Sequence, residues 1–235
     1  MRRLLLISSS RTHGSGYLDH CEGEILDFLG DIRALLFVPF AIGDRAGYAG
    51  RVRERMARMG IEVESLHEAG DARSAIGRAR ALFVGGGNTF RLLDELYRLQ
   101  ILEILRKRVE EGMPYLGASA GSNVACVTIK TTNDMPIVQP PSFAALALVP
   151  FNINPHYLDP DPGSRHMGET REERIREFHE INEPPVVGLR EGSMLRVEGK
   201  RAWLRGSASA RLFLQGEPAK EIAPGSALDF LLAEP

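Results

Sequence analysis

The sequence predicts an α/β fold: a mostly parallel sheet flanked by helices, with an antiparallel β-hairpin extension at the C-terminal end. Three observations carry that expectation. Apolar runs of strand length alternate with segments of helical periodicity from Leu4 to Ser119. Two of those runs break off in glycine-rich turns, Gly85-Gly86-Gly87-Asn88 and Gly117-Ala118-Ser119-Ala120-Gly121. From Val186 onward the pattern changes to short strands joined by tight turns such as Glu198-Gly199-Lys200.

Taken in order, Leu4 to Ser8 is apolar throughout, as suits a strand covered on both faces. Leu18, Cys21, Ile25 and Phe28 recur at helical spacing and Gly30 closes that helix. Ala34 to Val38 is a second buried strand, and Tyr48, Val52, Met56 and Met59 mark a helix stopped by Gly60. Ile61 to Leu66 alternates, Asp71 caps a short helix, and Ala81 to Val84 is another strand. Asn88 caps a helix beginning at Thr89, and leucines at helical spacing run on to Gly112. The next strand ends at Ser119, beside the Gly85–Asn88 turn if consecutive strands are neighbours. Ile129 to Ile137 reads as a polar loop, and a strand ends at Asn154-Pro155-His156. Leu158 to Gly168, with Pro160, Pro162 and Gly163 as turn residues and no periodicity, reads as a mobile surface loop. Thr170-Arg171-Glu172-Glu173 is a capping box that opens a helix through Phe178. With no linker and no repeat, the expectation is one catalytic α/β domain over 1–235, the β extension beginning near 186.

Composition narrows the function classes. Lys and Arg number 29 against 31 Asp and Glu, a formal charge of −2, so no basic face is advertised for nucleic acid. Cys21 and Cys126 lie far apart in apolar surroundings, as buried free thiols in a reducing cytosol would. The apolar run after Met1-Arg2-Arg3 stops at Ser8, too short for a secretory h-region, and nothing later reaches the roughly 20 apolar residues of a membrane span. A cytoplasmic protein with no membrane or nucleic-acid partner is expected.

The chemistry centres on Gly117-Ala118-Ser119-Ala120-Gly121, a G-x-S-x-G pattern where a strand turns into a helix. Such a corner lifts the serine hydroxyl above the sheet edge, which makes Ser119 the candidate nucleophile. The Ala120 N–H, at the start of the helix, faces any oxyanion formed there. The Gly85–Asn88 turn admits three readings: oxyanion donor through the Gly87 N–H, phosphate cradle, or plain turn. Neither G-x-G-x-x-G nor a P-loop is present, since Phe90 stands where the third glycine belongs. Among six histidines, His156 alone ends an apolar strand in this half, and it is the candidate general base. Two acids compete to orient it: Asp134, which gives the chain order Ser, Asp, His of α/β-hydrolases and is preferred, and Glu191 in the turn Arg190-Glu191-Gly192-Ser193.

Five stretches together resemble a known family. They are Val84 to Phe90 (V-G-G-G-N-T-F), Gly117 to Gly121, Thr131 to Val138 (T-T-N-D-M-P-I-V), Asn154 to His156, and Gly168 to Ile175 (G-E-T-R-E-x-R-I). The chain is similar over essentially its whole length to the peptidase E group, the aspartyl dipeptidases of serine-peptidase family S51. The resemblance implies a fold like class I glutamine amidotransferases with serine in place of cysteine, and hydrolysis of dipeptides bearing an N-terminal aspartate. It implies Ser119 as nucleophile, His156 as base and Asp134 as its partner, while Glu191 also falls at a family glutamate proposed for that third role. Asn88, Thr170 and Arg171 are the candidate substrate-binding residues, Arg171 for the aspartate β-carboxylate because a guanidinium makes two parallel charge-assisted bonds. No metal or cofactor is implied. The 158–168 loop, or a neighbouring subunit in a homodimer, is expected to close the site to longer peptides. The rival expectations are a cyanophycinase-like β-aspartyl peptidase of the same family and a non-catalytic anion-binding module built on Gly85–Asn88.

Overall fold

The computed structural model describes residues 1–161, 163, 165 and 167–233. His166 lies outside them, as do positions 162 and 164 of the 158–168 loop and the last two residues of the C-terminal extension. The first half alternates strands and helices: β1 (Arg3–Ile7), α1 (Glu22–Leu29), β2 (Ala34–Val38), α2 (Arg45–Arg58), β3 (Glu62–Ser65), α3 (Ala72–Arg78), β4 (Leu82–Val84), α4 (Thr89–Arg98), α5 (Leu102–Glu110), β5 (Tyr115–Ala118) and the single turn α6 (Ala120–Asn123). After a long irregular stretch come β6 (Asn152–Pro155), α7 (Arg171–Phe178), β7 (Val186–Leu189), β8 (Ser193–Glu198), β9 (Arg201–Gly206), β10 (Ala210–Phe213) and β11 (Lys220–Ile222).

The caps named from sequence set these boundaries. Asp71 accepts hydrogen bonds from the Arg73 and Ser74 N–H groups, Asn88 accepts from the Arg91 N–H, and Thr170 and Glu173 form a full reciprocal capping box. Gly30 ends α1 at φ 59°, a conformation that glycine adopts without steric penalty.

The main sheet runs β3-β2-β4-β5-β1-β8-β9. Its first five strands are parallel, as βα alternation requires, and β5 lies between β4 and β1. The glycine-rich ends of β4 and β5 are therefore neighbours, as expected from their order in the chain. The hairpin β8–β9 adds antiparallel to β1, while a second sheet is ordered β11-β10-β7-β6.

The C-terminal strands are thus shared between two sheets instead of forming one antiparallel extension. β7 pairs parallel with β6, in register Asn152 with Val186 through Pro155 with Leu189. Its residues are all buried and do not alternate, which is the signature of a strand covered on both faces. Gly188 sits so close to the Tyr157 ring that a Cβ there would lie 2.7 Å from it.

Alternation along β1 divides the core. Leu5 and Ile7 face a cluster with Ile25, Phe28, Val52 and Met56 of α1 and α2; Leu4 and Leu6 face one that holds α4 and α5 leucines together with Ile153, Val187 and Leu212 of the second sheet. Both cysteines are free and buried, and burial pushes the Cys21 thiol up to about 12. Among the described residues no helix is long and apolar enough to cross a membrane.

Candidate active site

Ser119 occupies the corner between β5 and α6 at φ 53° and ψ −108°, a strained backbone that the surroundings hold in place. Its N–H donates to Ile7 O at 3.0 Å. The Ser122 hydroxyl donates to Ile7 O and Gly117 O, and the Tyr115 hydroxyl donates to Gly121 O at 2.6 Å. Glycines make the corner tight enough: a Cβ on Gly121 would lie 2.1 Å from Val84 O, and one on Gly117 2.6 Å from Gly121 O. The turn of helix consequently presses directly on the backbone of β4 and β5, leaving the hydroxyl as the outward group.

His156 follows β6 at φ 53°. Its N–H donates to Ser8 Oγ at 3.0 Å, and Ser8 Oγ donates to Leu189 O at 2.7 Å, so one hydroxyl at the end of β1 joins the ends of β6 and β7. The strand end is tied to the Thr131–Val138 loop as well. Asn154 donates to Thr131 O and Asn133 Oδ1, and Asn133 donates to Pro155 O. The His156 ring then places Nε2 2.8 Å from Ser119 Oγ and Nδ1 2.8 Å from Glu191 Oε1. With the Nδ1 proton on the carboxylate side, the Nε2 lone pair is left for the serine hydroxyl. Side chains of His156 and Glu191 are 39% and 46% exposed, so their pairing contributes little to stability and serves to orient the ring.

The acid on His156 is therefore Glu191, where the preferred expectation was Asp134. Asp134 is occupied elsewhere. Its Oδ2 accepts from the Thr89 N–H at 2.8 Å, the Thr89 hydroxyl at 2.6 Å and the Thr132 hydroxyl at 3.1 Å, which fastens the loop to the N-terminus of α4. Asn88 is likewise committed: Oδ1 caps α4 and Nδ2 donates to Met135 O at 2.8 Å. The Thr170 hydroxyl is spent on its capping box with Glu173. The hydrogen bonds seen for these two side chains are thus to the protein, in the cap of α4 and the loop after it for Asn88 and in the cap of α7 for Thr170.

The Gly85–Asn88 turn is specialised residue by residue. Gly86 donates its N–H to the Tyr48 hydroxyl at 2.9 Å, and a Cβ there would lie 3.1 Å from both Ala118 O and Ser119 Cβ. Gly87 has φ 134°, and a Cβ would meet Ile42 and Ala41 O at 2.5 and 2.6 Å. Among the described residues neither the Gly87 nor the Ala120 N–H donates to a protein acceptor outside its own element. Both are thus available beside Ser119.

Ser119 and His156 open into a cleft of about 410 Å³ lined also by Arg11, Tyr17, Tyr48, Arg51, Gly87 and Asp134. Burial raises both tyrosine phenols, most for Tyr17. Arg171 lies at the first position of α7 in a hollow of about 420 Å³ shared with Asp159, Asp161 and Arg174. Partial burial lowers its pKa first, Arg174 lowers it further, and the charge of Asp134 acts in the opposite direction. Among the described residues Arg171 has no ion-pair partner. Sequence reasoning missed Ser8, Tyr48 and the threonine pair Thr89 and Thr132. Ser8 left a signal as a polar residue directly at the end of a buried strand, and Thr89 and Thr132 lie within two of the stretches singled out above. Among the described residues, no group of three or more His, Cys, Asp or Glu is arranged to hold a metal.

Comparison with known proteins gives concordant results. A model of peptidase family S51 matches residues 4–205. Peptidase E of Streptomyces coelicolor is 57% identical over 229 residues, spanning 97% of this chain and 94% of that one. A Drosophila melanogaster protein named "probable alpha-aspartyl dipeptidase" is 52% identical over 234 residues, 98% of each chain. The solved structure of a peptidase from an acI-B1 Actinobacterium superposes with a TM-score of 0.72 at 16% identity, covering 97% of this chain and 96% of that one, which is a likeness of fold.

Proposed function

The chain belongs to peptidase family S51, and on that premise we propose that it is a serine-type dipeptidase that hydrolyses peptides of the form Asp-Xaa. The observation that carries this reading is the hydrogen-bonded series Ser119 Oγ, His156 Nε2, His156 Nδ1, Glu191 Oε1, with 2.8 Å at each contact.

In the proposed reaction the Ser119 hydroxyl attacks the carbonyl carbon of the aspartyl residue while His156 Nε2 takes the hydroxyl proton. Glu191 holds the Nδ1–H and stabilises the imidazolium. The carbonyl oxygen, now negative, is received by the Gly87 and Ala120 N–H groups. The imidazolium gives its proton to the leaving amine, the C–N bond breaks, and an aspartyl ester remains on Ser119. Water then attacks that ester with His156 as base and releases aspartate. Arg171, partly buried and without an ion-pair partner among the described residues, is assigned to the β-carboxylate. The core cluster that spans both sheets supports treating 1–235 as one catalytic domain, and the two buried free thiols, Cys21 and Cys126, support a cytoplasmic place of action.

A panel of Asp-Leu, Glu-Leu and Ala-Leu tests the substrate. Asp-Leu should be turned over and the other two much more slowly, and Arg171→Leu should lower kcat/KM for Asp-Leu by about 10- to 150-fold while leaving Ala-Leu unchanged. Equal turnover of Asp-Leu and Ala-Leu would contradict the reading.

A further inference from the structure

Asp134 is left without a catalytic task once Glu191 holds His156, yet it lines the same cleft. Its two oxygens are treated differently. Three donors from Thr89 and Thr132 converge on Oδ2, so the carboxylate is fixed in position; among the described residues, Oδ1 has no hydrogen-bond partner. Asparagine caps α4 already, through Asn88, so the helix start does not need a second capping side chain for its geometry. A carboxylate fastened by one oxygen at the wall of a cleft is suited to meet a cation with the other.

Arg171 lines a second hollow, with Asp159 and Arg174, and makes no N···O contact with Asp134 within 4.0 Å, although the charge of Asp134 acts on its guanidinium. Opposite charges held apart, one in the cleft of Ser119 and His156 and one in the hollow of Arg171, suit a ligand that carries both signs in the reverse order. An N-terminal aspartyl residue does so: its ammonium and its β-carboxylate hang from adjacent carbons, and the scissile carbonyl shares the carbon that bears the ammonium. We propose that Asp134 binds the free α-ammonium of the substrate through Oδ1, while Arg171 holds the β-carboxylate of the same residue. This inference rests on the dipeptidase reading above and deepens it. It makes Asp134 the residue that restricts cleavage to an amino-terminal aspartate, because an internal aspartyl residue offers an uncharged amide there and leaves the carboxylate unpaired.

The test compares Asp-Leu with succinyl-leucine, which keeps the β-carboxylate and the scissile bond but replaces the ammonium by hydrogen. In the wild-type protein the loss of the ammonium should lower kcat/KM by about 10- to 150-fold. Asp134→Asn keeps an oxygen for Thr89 and Thr132; it should lower kcat/KM for Asp-Leu by a similar factor and bring the two substrates within about threefold of each other, as one lost interaction counted once requires. The wild-type profile for Asp-Leu should also fall as the pH rises through about 8, where a terminal amine loses its proton, and that limb should be absent for succinyl-leucine and for Asp134→Asn.

A variant in which both substrates lose activity by the same factor would overturn the proposal and make Asp134 a structural tie. Should Asp134→Asn fail to fold, the wild-type comparison decides by itself: equal turnover of Asp-Leu and succinyl-leucine overturns the proposal. Absence of any Asp-Leu turnover by the wild type defeats the dipeptidase reading and this inference together, whereas turnover with an unchanged substrate ratio in Asp134→Asn defeats the inference alone.

Discussion

Glu191 and Asp134 come from different loops, and their hydrogen-bond partners separate them: Glu191 pairs with His156, while Asp134 lines the cleft and is tied to Thr89 and Thr132. Glu191 fixes which nitrogen of His156 carries the proton, since a carboxylate accepts only. In Glu191→Gln the amide can donate to Nδ1 and favour the tautomer with a proton on Nε2, facing Ser119. The kcat for Asp-Leu should then fall by up to about 10⁴-fold with the fold intact, the scale at which an orienting acid matters in such triads. Activity within tenfold of wild type, measured by steady-state kinetics beside His156→Ala, would remove Glu191 from the role. Ser119 and His156 were legible in the sequence because each closes an apolar strand with a residue that packing alone does not ask for. The choice of acid was not legible. Chain order favoured Asp134, and the contact that favours Glu191 arises only because β7 pairs with β6 and delivers its following turn to the His156 ring.

Among the secondary-structure elements, α6 is the one on which the corner depends. A single turn has almost no helical stability of its own, so its position is imposed by the backbone packing of Gly117 and Gly121 and by the Ser122 and Tyr115 hydroxyls. Gly121→Ala would drive a Cβ to within 2.1 Å of Val84 O, a backbone atom that no rotamer change can move aside. Overpacking of this kind costs about 1–3 kcal/mol or more, and for a chain of this size each kcal/mol shifts Tm by about 2–4 °C. Thermal unfolding should show a lowered Tm for Gly121→Ala and no lowering for Gly50→Ala, whose added methyl on the exposed face of α2 meets nothing within 4 Å. An unchanged Tm in Gly121→Ala would contradict the packing account. The caps at Asp71, Asn88 and Thr170 were readable because cap chemistry is local, whereas the partition of β7 and β10 from β8 and β9 was not. All four are short strands close together in the chain, and tertiary contacts such as those of Gly188 with Tyr157 and of β8 with β1 accompany the pairing each adopts.

Across the molecule the site is divided between the two sheets: Ser119 closes β5 in the main sheet, and His156 and Glu191 follow β6 and β7 in the second. Ser8 couples them, and a shared apolar cluster lies beneath. Arg190, next to Glu191, adds a polar clamp by donating to Asp159 and Glu221, and it holds both carboxyls below the usual carboxylate range. The parallel core of this arrangement was legible because the alternation of apolar strands and amphipathic helices runs unbroken to Ser119. Its second sheet was not, because short strands that follow one another closely in the chain are divided between the two sheets. The account stands on Ser119 as the nucleophile at the junction of these parts. Hydrolysis of Asp-Leu by Ser119→Ala, followed against wild type with thermal unfolding as the control for folding, tests it most directly: a loss of at least about 10³-fold in kcat at unchanged Tm is predicted, and turnover near the wild-type rate would contradict it.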